Sequence, residues 1–555
     1  MKKLVLFIFL ASIISTSFFV LQSCKKDSED PPVEVHELTF SIPGVEFKHD
    51  TYYSIEDNVG HLDIVFNEDI DINSVDGNIL LYDMAGVLTD SIFIEVAGPK
   101  LYVRFKPDFS LKPGWRYMLE ISQGFMSTSG DDLPTDTIIE FRTKTRLLSD
   151  MISELKTTTS QRTLIACISD LHMGQQKAVD SRYCWFVDNK VAMEQFLDMI
   201  IEKPVFKELV IMGDIFDEWI IPYSISPFDS AYGVTNTREY FESIANAQDN
   251  LLIIDKLKSI ALNPDIILTY LPGNHDMRLT EEIFTAIIPN SQWKSDAVGL
   301  GSYSPTKSIV LEHGHRYDFI NCPEPLVNNG HILPPGFFIS RLYAQGYMTQ
   351  GPPNKSSIQS NSSFEFDVAW DIALYELDNK YFSMNTNMDD KIIIMGGVDN
   401  YTESFSYNGA KAMFSNNIEE EWTNTQIQNK VPVPIMVAEA IGASLSLFDL
   451  YNIAEKEYMM ESSPEKYKIV AFGHTHKAIL DVYKSDSKIV GIYANSGTWI
   501  NQDCNGSNPT RTFLTIYPAD WSTSELDIVT YYQFNFNTTQ NKYAPVRIKE
   551  ESILN

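Results

Sequence analysis

Aspartate, asparagine and histidine recur in six short clusters, and each cluster follows an apolar run of the kind that forms a buried strand. The clusters begin at Ser169, Gly213, Pro272, Glu312, Phe472 and Asn495. Carboxylate oxygen, amide oxygen and imidazole nitrogen are ligands for Mn²⁺, Fe, Zn²⁺ or Mg²⁺, and no thiolate accompanies them. Because ligands gather at the carboxyl ends of strands in α/β sheets, these six clusters predict one shared site.

The positions of the histidines support a shared site. The chain has 10 histidines in 555 residues, and six of them fall in these clusters, at positions 172, 275, 313, 315, 474 and 476. Structural histidines scattered through a fold would not concentrate in this way. Asp170 and His172 are two residues apart, so both side chains face the same side if the strand geometry persists.

The runs before the clusters predict the elements that position them. Strands are expected at 164–168, 209–212, 266–271, 309–311, 469–472 and 489–492, and helices at 191–202 and 238–261. Continuous apolar strands with helices between them predict sheets that are buried on both faces. The predicted fold class is therefore α/β.

The order D-x-H, G-D-x-x-D, G-N-H-D, H-G-H and G-H-x-H resembles the signature of the calcineurin-like metallophosphoesterases, over residues 163–320 and 468–533. The resemblance implies a β-sandwich flanked by helices and two divalent metal ions, with Mn, Fe, Zn and Mg all open. It implies that Asp170, His172, Asp214 and His476 bind one ion, and that Asp214, Asn274, His313 and His474 bind the other. Two ions about 3.5–4 Å apart clamp the oxygens of an in-line displacement, and they lower the pKa of bound water to about 7. A metal-bridging hydroxide is therefore the expected nucleophile.

Five further residues are candidates for roles around the metals. In the family pattern His275 lies beside the substrate, where an imidazolium protonates the leaving oxygen or stabilises developing charge. Asp276 either orients His275 or is a turn residue bonded to its own backbone. His315 and Asp318 either contact substrate or support a metal ligand. Asp217 either orients a ligand or belongs to an acidic pair at a helix N-terminus.

The amino terminus has the features of an export signal. Lys2 and Lys3 precede an uncharged apolar run at 4–20, and Leu-Gln-Ser-Cys24 follows. This resembles a bacterial lipoprotein signal, in which cleavage precedes the cysteine and the cysteine is acylated. A retained signal anchor is the alternative, although a membrane span usually needs about 20 apolar residues. We expect residues 1–23 to be the signal peptide, Cys24 the lipidation site and 24–36 a flexible tether.

Residues 37–145 differ in character from the more carboxyl-terminal part of the chain. Short alternating segments separated by turn signals predict a β-sandwich, and the pattern resembles the Ig-like domains of bacterial surface proteins. Both a ligand-binding module and a spacer fit this all-β domain, and the spacer is favoured because such sandwiches carry no function of their own.

The remaining boundaries are set by the motifs. A linker at 146–162 precedes a metallophosphoesterase domain at 163–321 and 461–535. The separation between His313 and His474 is longer than a crossover connection needs, so 322–460 is predicted to be an inserted, mainly helical cap, with helical patterns at 366–377 and 436–458. Residues 536–555 are expected to form a C-terminal tail. No CxxC pair is present, Cys167 is expected to be a buried thiol, and disulfide pairing stays open.

The amino-acid composition argues against one class of binding partner. Asp and Glu number 74 against 43 Lys and Arg, which argues against a nucleic-acid partner because a phosphate backbone would be repelled. We expect an outer membrane lipoprotein, facing the periplasm or the cell surface, that hydrolyses a phosphomonoester, phosphodiester or pyrophosphate of a small molecule, lipid or glycan. The alternative is a non-catalytic binding or adhesive lipoprotein on the same scaffold. All seven ligand residues are present, which favours the enzyme.

The sequence Gly-Asp-Ile-Phe-Asp-Glu-Trp at 213–219 resembles the branch that contains the UDP-diacylglucosamine pyrophosphohydrolases. The substrate of that branch lies on the cytoplasmic side of the membrane. Export therefore predicts a different substrate here.

Overall fold

The computed structural model describes residues 38–143 except 44, 49–51, 57–58 and 113, residues 162–323 except 231–232, and residues 331–351. It also describes 392–393, 398–401, 405–406, 408–409, 418–444 and 450–555, except 461, 486–487 and 523–524. The predicted signal peptide, Cys24, and the helical pattern predicted at 366–377 lie outside these residues. Among the described residues, no helix has both the length and the apolar character needed to span a bilayer.

The amino-terminal part of the described chain is all-β apart from short 3₁₀ turns. Its strands are β1 Phe40–Ser41, β2 Glu46–Lys48, β3 Tyr52–Ile55, β4 His61–Phe66, β5 Ile79–Asp83, β6 Ile92–Ala97, β7 Lys100–Phe105, β8 Arg116–Ile121 and β9 Thr137–Thr143. They form two sheets, in the orders β1-β4-β7-β6 and β2-β3-β9-β8-β5. In β4 the side chains of Leu62, Ile64 and Phe66 are buried in alternation, as the period of a strand requires. The predicted all-β region is confirmed, and its Ig-like character stays a prediction.

The strands after residue 162 build two larger sheets. They are β10 Leu164–Ile168, β11 Phe206–Met212, β12 Ile267–Leu271, β13 Gln292–Trp293, β14 Ser302–Thr306, β15 Ile309–Glu312, β16 Ile392–Ile393, β17 Phe405–Ser406, β18 Ile469–Phe472, β19 Ala478–Ser485, β20 Lys488–Ser496, β21 Thr512–Tyr517, β22 Leu526–Asn537 and β23 Lys542–Leu554. The sheet orders are β13-β12-β11-β10-β21-β22-β23 and β14-β15-β18-β20-β19, and β16 pairs with β17.

The helices lie between these strands in the chain. They are α1 Gln176–Asp180, α2 Lys190–Glu202, α3 Thr237–Ala245, α4 Leu251–Leu262, α5 Glu281–Ile287, α6 Pro335–Gln350, α7 Ile418–Gln428, α8 Val437–Ser444 and α9 Tyr451–Ala454. A π-helical turn, Glu455–Met459, continues from α9. Mixed sheets and helices confirm the predicted α/β class.

Strand β10 shows why its sequence is continuously apolar. Its residues are all buried, and they alternate between two hydrophobic clusters. Leu164, Ala166 and Ile168 pack with helix residues such as Phe196 of α2, whereas Ile165 and Cys167 pack against the second sheet. The two sheets therefore face each other, and helices cover the outer face of the first.

Three parallel strands of each sheet end at the site. Strands β10, β11 and β12 are parallel neighbours in the seven-stranded sheet, and β15, β18 and β20 are parallel neighbours in the five-stranded sheet. Their carboxyl ends carry the six polar clusters seen in the sequence. Strand direction alone therefore brings these clusters to one region of the molecule.

Two sequence predictions of elements differ from the structure. The helix expected at 238–261 is two helices, because the Asn250 side chain donates to the carbonyls of Gly174 and Ile244 and fixes a turn between α3 and α4. The expected tail at 536–555 contains β23, which pairs with β22 throughout its length. Pro545 and the charged residues of β23 weakened its strand signal. Of the helical run expected at 436–458, the described residues form α8, α9 and the π-helical turn Glu455–Met459.

Candidate metal centre

The predicted metal ligands sit in unusual backbone conformations directly after strands. Five of the seven have positive φ angles: Asp170 57°, His172 56°, Asp214 55°, His474 69° and His476 57°. Residues other than glycine rarely adopt this region. Such strain concentrates at functional sites, because the surrounding structure must hold it in place. The turns after the strands set the direction of these side chains.

One group of donor atoms forms around Asp170. The Oδ1 atom of Asp170 lies 3.2 Å from Nε2 of His476 and 3.8 Å from Nε2 of His172. The two histidine Nε2 atoms are 3.1 Å apart. Oδ2 of Asp214 lies 3.6 Å from Nε2 of His172. These are the four residues expected to bind the first metal.

A second group lies beside the first and shares Asp214 with it. The Oδ1 atom of Asn274 lies 3.0 Å from Nε2 of His313 and 2.9 Å from Nδ1 of His474. Nε2 of His313 is 3.3 Å from Oδ2 of Asp214. The structure thus brings all seven predicted ligands together, and the Oδ2 atom of Asp214 lies between the two groups.

The arrangement of the donor atoms suits bound cations better than direct hydrogen bonds among the donors. Oδ1 of Asp170 is buried and accepts no hydrogen bond from a described residue, although a buried carboxylate oxygen costs free energy unless it has a partner. The facing Nε2 atoms of His172 and His476 are both suited to present lone pairs to an ion placed between them. Two neighbouring clusters of this kind are suited to two divalent ions.

Hydrogen bonds on the far side of three rings select the tautomers. Nδ1 of His172 donates to Asp217 at 2.9 Å, and Nδ1 of His313 donates to the Met212 carbonyl at 2.6 Å. For His474 the donor is Nε2, which reaches Oδ2 of Asp318 at 2.8 Å. In each ring the other nitrogen faces the site and is the one that a metal ion would bind.

The Asp214 carboxylate, which both groups of donor atoms share, is ionised. Burial by itself would raise the pKa of Asp214, but the nearby His313 and His275 hold that pKa well below its usual range. The backbone N–H of His275 also donates to Oδ1 of Asp214 at 2.8 Å. Asp214 therefore presents Oδ2 as a charged ligand at neutral pH.

Asp217 connects a metal-facing histidine to the candidate catalytic histidine. Its Oδ2 accepts from His172, and its Oδ1 accepts from Nδ1 of His275 at 3.1 Å. Oδ1 also accepts from the backbone N–H groups of Trp219 and Ile220, both at 2.8 Å. The neighbouring acid, Glu218, has a different role, because its carboxylate is buried in an ion pair with Arg278.

Asp276 has a different environment from the one expected of an orienting residue. Its carboxylate accepts from the N–H of Gly273 at 2.9 Å, from the N–H of Ile215 at 3.0 Å and from the hydroxyl of Tyr270. Burial and the charge of Asp214 raise its pKa to about 7. Asp276 thus ties two ligand-bearing loops together, and the ring of His275 is held by Asp217.

His315 and Asp318 are both buried behind the ligands. Asp318 accepts from His474, and its Oδ1 also accepts from the N–H of Ile320 at 2.9 Å. Nε2 of His315 donates to the Gly299 carbonyl at 2.9 Å, and its ring lies 5.1 Å from that of His313. Burial and the neighbouring histidines hold the pKa of His315 well below its usual value, so this ring is neutral. These positions match support of the ligands more closely than contact with substrate.

Close approach of the loops explains two of the motif glycines. A Cβ at Gly213 would collide with the ring of His313 and the backbone of Gly273, and a Cβ at Gly273 would collide with Asp214. The hydroxyl of Thr498 donates to the Asp170 carbonyl at 2.8 Å, and the Asn495 side chain donates to the Gly473 carbonyl at 2.5 Å. These bonds fix the turns that carry the first and fifth clusters.

Two aromatic residues beside the site were not anticipated from the sequence. The Trp185 ring lies 5.2, 6.0 and 6.0 Å from the rings of His172, His275 and His476. Tyr343 of α6 meets Trp185 edge to face at 5.3 Å. Trp185 belongs to no motif, and only the tertiary fold brings it here. The N–H of Asn501 donates to its carbonyl at 2.7 Å, which fixes the backbone.

The family model of the calcineurin-like phosphoesterases matches residues 163–478 of this chain. This is more than half of the sequence, and the chain belongs to that family. The family uses divalent metals, and the described residues contain His/Asp clusters that could bind two such ions. No curated protein matches the chain.

Similar solved structures cover smaller parts of the chain. The N-terminal part of the bacterial S-layer protein SbsC is 19% identical over 19% of this chain and 24% of its own length, with a TM-score of 0.14. Chitinase ChiW from Paenibacillus sp. str. FPU-7 is 9% identical over 47% of this chain and 27% of its own length, with a TM-score of 0.18. This chain therefore matches only about a quarter of either protein, and scores this low carry no inference about fold or function.

Proposed function

We propose that this protein is an exported, lipid-anchored hydrolase of phosphoesters that acts with two divalent metal ions. The observation that carries the catalytic part is the convergence of seven side chains into two donor sets that share Oδ2 of Asp214. Asp170, His172, Asp214 and His476 would hold one ion, and Asp214, Asn274, His313 and His474 the other. The preset tautomers of His172, His313 and His474 support this assignment.

When bound, the two ions supply Lewis acidity and water of lowered pKa. They would carry four positive charges, of which Asp170 and Asp214 offset two, so the centre stays attractive to a phosphate group. His275 is held by Asp217 through Nδ1, and Nε2 is then available to protonate the leaving oxygen. Its side chain is 10% exposed, enough for contact with a bound substrate.

The proposed substrates are phosphomonoesters, phosphodiesters or pyrophosphates of the cell envelope or the environment. Trp185 and Tyr343 border the candidate site and provide an apolar wall beside His275. This wall suits an organic leaving group whose oxygen receives the proton from His275. Substrate panels that vary this group at constant phosphate chemistry would define its preferred form.

The catalytic proposal is tested with an aryl phosphate and a bis-aryl phosphodiester, with and without added Mn²⁺, Zn²⁺ or Mg²⁺. We expect metal-dependent hydrolysis of at least one substrate, and loss of that activity in Asp214→Asn. The matched control is Asp255→Asn, because Asp255 is a 65% exposed surface carboxylate. Protein that contains two metals and hydrolyses neither substrate would favour the alternative, a non-catalytic binding lipoprotein.

The anchoring proposal has a separate test. Cells that express the full chain are labelled with a radioactive fatty acid, and membrane fractions are compared for the wild type and Cys24→Ala. We expect label in the wild type alone. Equal labelling of both proteins would contradict acylation at Cys24. Protease accessibility in intact cells then separates a periplasm-facing from a surface-facing protein.

A further inference from the structure

A cavity of about 350 Å³ lies where the amino-terminal sheets meet the phosphoesterase sheets. This volume is within the range of small-molecule pockets, and it equals roughly twelve water volumes. Apolar side chains from three strands and one turn form much of its wall. They are Met84, Met118, Ile489, Val490, Ile553 and Leu554.

Positive charge is concentrated at this cavity. Arg116 lines it and is 3% exposed, with Nε 3.1 Å from Glu140 and Nη2 paired with Glu551. Arg142 pairs with the same two carboxylates at 2.8 and 2.6 Å. Lys484 lies 3.5 Å from Glu140, and Lys549 lies 3.6 Å from Glu551. In these ion pairs four cationic side chains share two carboxylates.

Of the residues in these ion pairs, Arg116, Glu140 and Lys484 line the cavity, and two further charged residues line it with them. Lys468 adds a fifth cation and donates to the Leu554 carbonyl at 3.0 Å. Asp83 adds a third carboxylate, which accepts from the N–H groups of Ala85 and Gly86 at 2.7 and 2.9 Å. The lining thus holds three cations and two carboxylates, a net positive charge in a chain whose formal net charge is -31.

The ion pairs of Arg116 do not satisfy its whole guanidinium group. Nη1 of Arg116 is buried and makes no hydrogen bond with a described residue. A buried donor without an acceptor costs free energy. Guanidinium groups bind carboxylate and phosphate through paired N–H groups. An anion in the cavity would lie beside this guanidinium and be attracted by its charge, while the apolar wall would contact a hydrocarbon group attached to the anion.

We propose that this interdomain cavity binds a small amphipathic anion, meaning a carboxylate or phosphate group on a short hydrocarbon chain. The site lies near Lys468 and Ile489, where β18 and β20 begin, whereas the candidate metal centre lies where those strands end. The two sites are therefore separate. The ligand contacts both parts of the chain and stabilises their association.

The test uses the full chain without its signal and titrates it with hexanoate in a calorimeter. We expect saturable binding with a dissociation constant below about 1 mM and a rise in the unfolding midpoint. Acetate lacks the hydrocarbon chain and 1-hexanol lacks the charge, so both should bind at least about tenfold more weakly. Hexylphosphonate, which has no ester bond to hydrolyse, tests whether the phosphate type of head group is also accepted.

Three variants locate the binding. Met118→Trp fills the cavity and should abolish hexanoate binding, and unfolding curves would establish that this variant is folded. Lys484→Ala removes a cation that is 48% exposed and should weaken binding about two- to fivefold. Lys307→Ala, on an exposed turn, should leave it unchanged. Hexylphosphonate bound at the metal centre would persist in Met118→Trp.

The proposal is overturned if hexanoate does not bind, or if 1-hexanol or acetate binds equally well. It is also overturned if the folded Met118→Trp variant binds hexanoate like the wild type. None of these outcomes depends on phosphoesterase activity, so they are independent of the proposed catalytic function.

Discussion

His172, His313 and His474 each make a hydrogen bond on the side of the ring that faces away from the site, and these three bonds determine which ring nitrogen can bind a metal. Each bond assigns a proton to one ring nitrogen and leaves the other nitrogen free to bind a cation. The acceptors are Asp217, the Met212 carbonyl and Asp318. A histidine in a motif shows that a ligand is available, whereas these acceptors determine which nitrogen binds. The preorganisation of the site therefore depends on residues behind the ligands as much as on the ligands themselves.

Asp217→Asn is expected to weaken both metal binding and catalysis. The substitution removes the charge shared by His172 and His275, and loss of such a supporting partner commonly costs about 10- to 100-fold in affinity or activity. Metal content and kcat would be measured on the same preparation. The surface variant Asp255→Asn is the control. Unchanged values for both measurements would contradict the positioning role of Asp217.

Asp276→Asn is expected to lower the free energy of unfolding and to have a smaller effect on kcat. The amide nitrogen replaces one carboxylate oxygen and so places its N–H groups against the N–H donor of either Gly273 or Ile215, which leaves a buried donor unpaired at a cost of about 1–3 kcal/mol. Denaturant unfolding of the metal-free protein would measure this loss. A variant with normal stability but greatly reduced kcat would show instead that Asp276 takes part in catalysis.

Trp185→Ala is expected to raise KM more than it lowers kcat. The ring borders His275 but makes no hydrogen bond to any predicted ligand, so its loss removes apolar contact with the substrate. Trp185→Phe should retain much of the wild-type KM, because an aromatic face remains. A fall in kcat alone, with KM unchanged in both variants, would contradict a binding role.

At the scale of secondary-structure elements, the directions of the parallel strands determine where the site lies. Six strands from two sheets end at the same region, and the positive-φ turns after them direct the ligands inward. Hydrophobic runs identified these strands from sequence. The break between α3 and α4 could not be read from the sequence, because it depends on hydrogen bonds from Asn250 to the distant Gly174.

Glu457, in the π-helical turn Glu455–Met459, is expected to make the free energy of unfolding depend on pH. Glu457 is fully buried, and burial, with a smaller contribution from the charge of Glu312, raises its pKa to about 8. The folded state therefore holds a proton that the unfolded chain releases above its usual pKa of 4.5. The stability from this group is complete below pH 4.5 and is lost as the pH rises toward 8.

Glu457→Gln should remove this dependence. We expect the variant to match the wild type near pH 4.5 and to exceed its free energy of unfolding by a few kcal/mol at pH 8. Denaturant unfolding across this range checks the result. Glu455→Gln, at the half-buried start of the same turn, controls for the substitution itself. A difference that is the same at both pH values would contradict the assignment.

At the scale of the whole molecule, the carboxyl-terminal strand joins the two parts of the chain. Glu551 of β23 pairs with Arg116 and Arg142 of the amino-terminal sheet, and the Ser552 hydroxyl donates to the Gly114 carbonyl at 3.1 Å. The segment that the sequence predicted as a tail is therefore part of the contact between them. The same contact encloses the proposed anion cavity.

Glu551→Gln should destabilise this contact. Removal of one partner from a buried ion pair costs about 3–5 kcal/mol, because the other charge stays buried. Glu525→Gln is the matched control, since Glu525 pairs with Lys112 at 2.7 Å but is 63% exposed. Exposed pairs contribute about 0–1 kcal/mol. Equal losses of unfolding free energy in the two variants would contradict the importance of the buried pair.

The sequence by itself determined the family signature, the strands that carry it and the seven candidate ligands, because apolar periodicity and short motifs are local properties. The tertiary structure decided which ring nitrogens face the site, that Asp217 rather than Asp276 holds His275, and that Trp185 borders the candidate metal centre. It also decided that β23 closes a charged cavity. These features depend on contacts between residues far apart in the chain, such as Arg116 and Glu551, and no local pattern encodes which distant atoms meet.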